Sequence, residues 1–153
     1  MLMSRLTESD ININMGKIVV TLTLSNDIDE MLTGRGLLSA DDVRRLTLDN
    51  VLVDTGATRL CLPSDVIEKL GLKPVGTIDA QTAIGPQSVN VYDRVRLNVE
   101  GRAGTYKCVE LPKGQTPLLG LIPLEDLGLD PDLQHQKLKH LPTKGKETYM
   151  TIL

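Results

Sequence analysis

Two stretches of two-residue alternation constrain this chain more than any other feature. Ile18, Val20, Leu22 and Leu24 share one parity, with Val19, Thr21 and Thr23 on the other. Farther along, Val89, Val91, Val95, Leu97 and Val99 hold strict odd spacing, broken only by Asp93. Successive side chains of a strand point to opposite faces, so both runs read as half-buried strands. Their β-branched residues favour the same assignment. The chain has no Phe, no Trp and only three Tyr, so its core must be assembled from Leu, Ile, Val and Met.

Other elements follow from local signals. Residues 25–36 are acidic and irregular, and Ser39-Ala-Asp-Asp42 offers a capping-box-like start for a short helix through Leu46. Leu48 to Asp54 returns to a strand. Arg59 to Leu62 reads as extended, and Pro63-Ser64-Asp65 opens a helix that Gly71 closes after Leu70. Gly85-Pro86 separates residues 78–83 from residues 87–91, which predicts a long hairpin with its tip near Ile84-Gly85-Pro86-Gln87. A turn at Glu100-Gly101-Arg102 leads to a strand over 105–111, then a short helix at Leu124 to Leu127, a stop at Gly128 to Pro131, and a last strand near Glu147 to Leu153. The pattern is mostly β with short helices and no internal repeat.

Composition narrows the function. With 17 basic and 20 acidic residues the net charge is −3, too close to neutral for a polyanion-seeking protein. The lack of Phe and Trp argues against base-stacking platforms, so no nucleic-acid partner is expected. At 153 residues the chain fits one domain that needs no disulfide or metal staple. Residues 1–14 form an N-terminal extension with Arg5, Glu8 and Asp10 and no apolar run, unlike a signal peptide, and the patterned domain spans 15–153. No stretch approaches the roughly 20 apolar residues of a membrane helix. Cys61 and Cys108 read as buried free thiols, and a cytoplasmic location without membrane contact is expected.

The chemistry concentrates at Val51-Leu52-Val53-Asp54-Thr55-Gly56-Ala57. A carboxylate directly after an apolar strand would sit at the edge of a low-dielectric core, where burial raises its pKa unless hydrogen bonds or charges oppose it. Thr55 can lock the loop through its hydroxyl, and Gly56 lets backbone amides approach the carboxylate. Taken alone, Asp-Thr-Gly is also good turn chemistry.

The stretch resembles the aspartic proteases, whose apolar strand ends in Asp-Thr-Gly-Ala or Asp-Thr-Gly-Ser. In order after it come a Gly-containing hairpin at Ile84-Gly85-Pro86, then Leu118-Leu119-Gly120, then a helix at Leu124 to Leu127. This order is similar to small bacterial retropepsin-like proteases, cyanobacterial ones among them, over about Met15 to Leu153. The resemblance implies a mostly β, closed or barrel-like acid-protease fold with short helices and a flap hairpin. It implies an aspartic endopeptidase with no cofactor and no metal, acting on a peptide or protein substrate. Because there is one Asp-Thr-Gly and no second copy, the implied active unit is a homodimer that brings two Asp54 carboxylates face to face. Asp54 would be the acid/base, Thr55 an inter-subunit grip, and Gly56 a source of backbone contacts. Ala57 and Thr58, with Ala83, Ile84, Gly85 and Pro86 of the flap, would bind substrate. The last strand would join the dimer sheet. An alternative is a catalytically silent dimerisation or peptide-binding module.

Departures accompany the resemblance. Retroviral members carry an acid after the Ala and an Arg after the second Gly, where this chain has Thr58 and Leu121. The flap tip has no Tyr. His135 and His140 do not share a helix face, which argues against a zinc site. Lys137, Lys139, Lys144 and Lys146 read as a solvated basic surface. Arg59, beside the catalytic loop, either meets a substrate carboxylate or points into solvent.

Overall fold

A computed structural model describes residues 17–142. The expected last strand at Glu147 to Leu153, Lys144, Lys146 and the N-terminal extension lie outside the described residues. Among the described residues nine strands form: β1 (Val19–Asn26), β2 (Arg45–Val53), β3 (Leu60–Pro63), β4 (Pro74–Thr82), β5 (Gly85–Val99), β6 (Arg102–Leu111), β7 (Leu118–Leu119), β8 (Leu129–Asp132) and β9 (Lys137–His140). Three short helices accompany them among the described residues: α1 (Asp27–Gly34), α2 (Ser64–Lys69) and α3 (Leu121–Asp126). The fold is therefore mostly β with a few short helices.

Seven strands make one mixed sheet in the order β1-β2-β7-β3-β6-β5-β4, and an extra β1–β5 pairing returns the hydrogen bonding to its start. The pairings β2–β7 and β3–β6 are parallel, while the hairpins β4–β5 and β5–β6 are antiparallel. Inside this circuit lies an aliphatic core that includes Ile18, Leu22, Leu24, Leu60, Leu97 and Leu119. The first alternating run packs as its parity predicts: Ile18, Val20, Leu22 and Leu24 are buried.

The second run splits. The β5–β6 register shifts between Tyr92 and Val95, so one extra residue enters β5 at Asp93. Such a bulge reverses which face later side chains occupy. Val91 and partly buried Val89 accordingly join a small cluster with Cys61 and Val109, whereas Val95, Leu97 and Val99 enter the main core. At the same point β5 changes partner, from β4 to β1.

Residues 25–36 are not irregular, because they contain α1. Asn26 caps that helix by accepting a hydrogen bond from the Asp29 amide, and its side-chain amide donates to the Leu70 carbonyl at 2.9 Å. Asp27 and Asp29 are buried yet paired: Arg96 reaches Asp27 at 3.0 Å, and Arg44 grips Asp29 through Nε at 2.8 Å and Nη2 at 2.9 Å. Those arginines are distant in sequence, which hides the helix from a local reading. Conversely, the helix expected from Ser39 to Leu46 is only a 3-10 turn at Ala40–Asp42, because Arg45 and Leu46 already pair with β1. The stop at Gly128 to Pro131 leads into an additional hairpin, β8–β9. Arg102 fastens it, donating to the carbonyls of Leu127, Gly128 and Leu141.

Candidate active site

Asp54 follows the last residue of β2 and is held by backbone on both sides. Val53 donates its amide to Ile18 at 2.8 Å, and Asp54 donates its own to Leu119 of β7 at 3.0 Å. The loop then turns sharply, with the Ala57 amide donating to the Asp54 carbonyl at 3.1 Å. Beyond it, the carbonyls of Ala57 and Thr58 accept from Leu121 and Ile122 at 2.8 and 2.9 Å, which docks the loop on the start of α3. The Leu118-Leu119-Gly120 segment thus supports the loop from beneath. A Cβ on Gly120 would lie 2.3 Å from the Arg59 carbonyl oxygen and 2.7 Å from that of Ala57, so only glycine permits this approach.

The side chain of Asp54 is oriented by its own loop: the Gly56 amide donates to its Oδ1 at 2.9 Å. A Cβ on Gly56 would sit 3.1 Å from that oxygen. The expected enclosure of Asp54 is looser than the apolar run suggests. Only Val51 is fully buried, while Leu52, Val53 and Asp54 are half-buried, because β2 meets only two-residue β7 on that side.

Asp54 opens onto a cleft of about 610 Å³. Ala57, Cys61 and Leu118 form its floor near the carboxylate, and Val109 and Leu111 continue one wall. The β4–β5 hairpin forms the other side through Ile78, Ala80 and Val89. Of the sequence-designated residues, Asp54, Gly56, Ala57 and Thr58 come together here. Ala83, Ile84, Gly85 and Pro86 stand at the hairpin's end, outside the cleft lining, with Ile84 83% exposed. The turn itself falls on Ala83 and Ile84, since Thr82 pairs with Gly85 and Gln81 with Pro86. Gly85 permits this with φ +103°. The lining contributed by the hairpin's stem escaped the sequence reading; its only trace there was the odd parity of Val89 and Val91.

Thr55 is exposed and faces a second hollow of about 400 Å³ on the other side of Asp54, with Ile18, Pro131 and Leu133. Thr58 and Leu121 form no ion pair. Tyr92 lies far from the tip and donates to Glu110 Oε2 at 3.2 Å. Burial and then the neighbouring Glu110 carboxylate push that phenol upward.

The two cysteines are free and buried. Burial, and secondarily the Asp54 carboxylate, pushes the Cys61 thiol up to about 11, and burial pushes Cys108 up to about 12. Both therefore stay protonated near neutrality. His135 pairs with Asp132 at 2.7 Å and His140 with Glu100 at 2.6 Å, away from each other. Among the described residues no cluster has the makings of a metal site, and no helix is long and apolar enough to cross a membrane.

A carboxylate fixed at a strand end, backed by a glycine-dependent floor and faced by a hairpin, defines an acid-protease type of fold. A solved structure of EIAV protease complexed with the inhibitor HBY-793 matches it with a TM-score of 0.51 and 18% identity, over 73% of this chain and 88% of that one. No curated protein matches the sequence. A family model described as aspartyl protease matches residues 38–122, which take in the Asp54 loop, the hairpin and Gly120. The chain belongs to this aspartyl protease family.

Proposed function

We propose that this chain is an aspartic endopeptidase whose active unit is a homodimer. The observation that carries the reading is the Asp54 carboxylate, oriented by the Gly56 amide and opening onto a largely aliphatic cleft of about 610 Å³ that runs from its loop to the β4–β5 hairpin. One carboxylate is half of the required machinery, and the sequence has one Asp-Thr-Gly. A two-fold axis beside Thr55 would bring two Asp54 side chains together, with the exposed threonine hydroxyls gripping across the axis. Two close carboxylates share one proton and titrate as a unit, and aspartic proteases are themselves the standard example of such a pair. The ionised member takes a proton from a water held between them while the protonated member donates to the scissile carbonyl. The water oxygen bonds to the carbonyl carbon, and the C–N bond breaks as the amine takes up a proton. The hairpin closes over the peptide, with Ala83 to Pro86 as its leading edge.

Incubating peptide mixtures between pH 4 and 7 with the native chain and with Asp54→Asn tests the reading. Cleavage should fall about 100- to 10,000-fold in the variant, and equal product from both chains would sink the proposal. Sedimentation tests the dimer: a strictly monomeric chain that still cleaves contradicts a shared site. One observation favours a silent peptide-binding module instead. β4 ends the sheet order, so its outer edge is open among the described residues to an added strand. Peptide binding with no Asp54-dependent cleavage would select that reading.

A further inference from the structure

Among the described residues Arg59 is the one guanidinium that lines the cleft, and the pattern of their ion pairs sets it apart. Arg44, Arg45, Arg94 and Arg96 each pair with an aspartate or glutamate, and Arg102 donates to backbone carbonyls. Arg35 is exposed to solvent. Arg59 is half-buried, lines the cleft that contains Asp54, and has no carboxylate within ion-pair distance among the described residues. Asp54 itself is not its partner.

Arg59 stands in the bend just before β3 and lines the cleft together with Asp54 and Cys61, and alternation along β4 and β6 fixes which of the nearby acids face it. Asp79 and Glu110 also border the cleft, but their side chains belong to the opposite face. Asp79 pairs with Ser88 while its neighbour Ile78 pairs with cleft-lining Val89. Glu110 is occupied there too, accepting hydrogen bonds from Asn90 at 3.0 Å and Tyr92 at 3.2 Å. A peptide in the cleft thus meets aliphatic walls, the reactive carboxylate and one uncommitted guanidinium. Lys107 stands beside Arg59 in an adjoining hollow and adds positive charge there.

We propose that Arg59 is a specificity-determining residue that receives a glutamate or aspartate side chain of the bound peptide, making an acidic residue flanked by aliphatic ones the preferred substrate pattern. The guanidinium fork suits a carboxylate bidentately, and the apolar surroundings strengthen the contact. A half-buried pair of this kind discriminates by about tenfold against an uncharged analogue. This inference rests on the peptide-cleft reading above, and its test separates the two.

Labelled decapeptides of Ala, Val, Leu and Ser, with a single Glu, Gln or Lys moved through each position, would be titrated onto the full Asp54→Asn chain. At one position the Glu peptide should bind about tenfold tighter than its Gln counterpart, an advantage that shrinks as salt is raised. Adding Arg59→Gln should reduce the ratio to within about twofold, and Arg59→Glu should turn the preference toward Lys. The reversal guards against a variant that merely loses its fold, as does a thermal melt of each. A Glu preference that survives Arg59→Gln overturns the inference, as does no preference, or no binding of any peptide. If Arg59→Gln weakens only self-association and leaves the ratio intact, Arg59 serves the interface and the inference also falls. Cleavage by the native chain is read separately: an Arg59-dependent preference without cleavage defeats the proteolytic reading alone.

Discussion

The floor and the roof of the cleft are built on opposite principles. The floor, from Asp54 to Thr58 over Leu118 to Gly120, is fixed by a dense set of backbone hydrogen bonds and a glycine with no room for a methyl group. Leu60 and Leu119 anchor it in the main core. The roof is a hairpin whose strand β4 has no fully buried residue and whose tip exposes Ile84. Local opening costs little where few apolar contacts must break, so the roof can move while the carboxylate stays in place. The proposed endopeptidase would need this asymmetry, since a peptide must enter while the carboxylate must not wander.

Hydrogen exchange gives the largest test of the contrast. Amides of β4 should exchange at least about 100-fold faster than those of Val51 to Val53; comparable rates would mean that roof and floor open together. Breaking the floor comes next. Gly120→Ala forces a methyl group against two carbonyl oxygens and should lower stability by about 2–3 kcal/mol, measured by denaturant unfolding. Peptide binding should fall with it, because Ala57 must shift. An unchanged unfolding midpoint would show that the loop has slack.

A third test lies outside the cleft, at the α1 end that steadies β1 and β5. The hydrogen bonds from Arg44 hold the Asp29 carboxyl below its ordinary range. A folded-state pKa lower than the unfolded one means that stability is gained above the unfolded value and lost as pH falls through the folded one. Asp29→Asn should therefore cost roughly 1–2 kcal/mol at neutral pH and flatten the acid limb of the stability curve below about pH 4. An acid limb identical to that of the native chain would remove Asp29 from the account. The smallest effect belongs to the roof: Ile84→Ser should change stability by less than about 0.5 kcal/mol, seen in a thermal melt, while raising KM for peptides. Unchanged KM would leave the exposed tip without a part in binding.

Much of the site was legible because its determinants are local. Asp54-Thr55-Gly56 sits at the end of an apolar strand, and Gly120 is flagged by the Leu-Leu-Gly order that follows the hairpin. The structure brings these together through the β2–β7 pairing of Leu52 with Leu118 and Val53 with Leu119. Less legible was α1, whose buried acids look like a solvated loop until Arg44, Arg94 and Arg96 arrive from elsewhere in the chain. The lining of the cleft was hidden for another reason. A single alternating stripe from Val89 to Val99 serves two clusters, and only the bulge near Asp93 divides it.

The sequence by itself determined most strands of the large sheet, the inward parity of the first of them, the aliphatic core and the place of Asp54 at a strand end, because alternation and turn chemistry act over a few residues. Tertiary structure alone decided which strands became neighbours, where β5 exchanged β4 for β1, and which of several charged residues faced the cleft. Those outcomes depend on register between segments far apart in the chain, where one extra residue sends the same side chain to the opposite face.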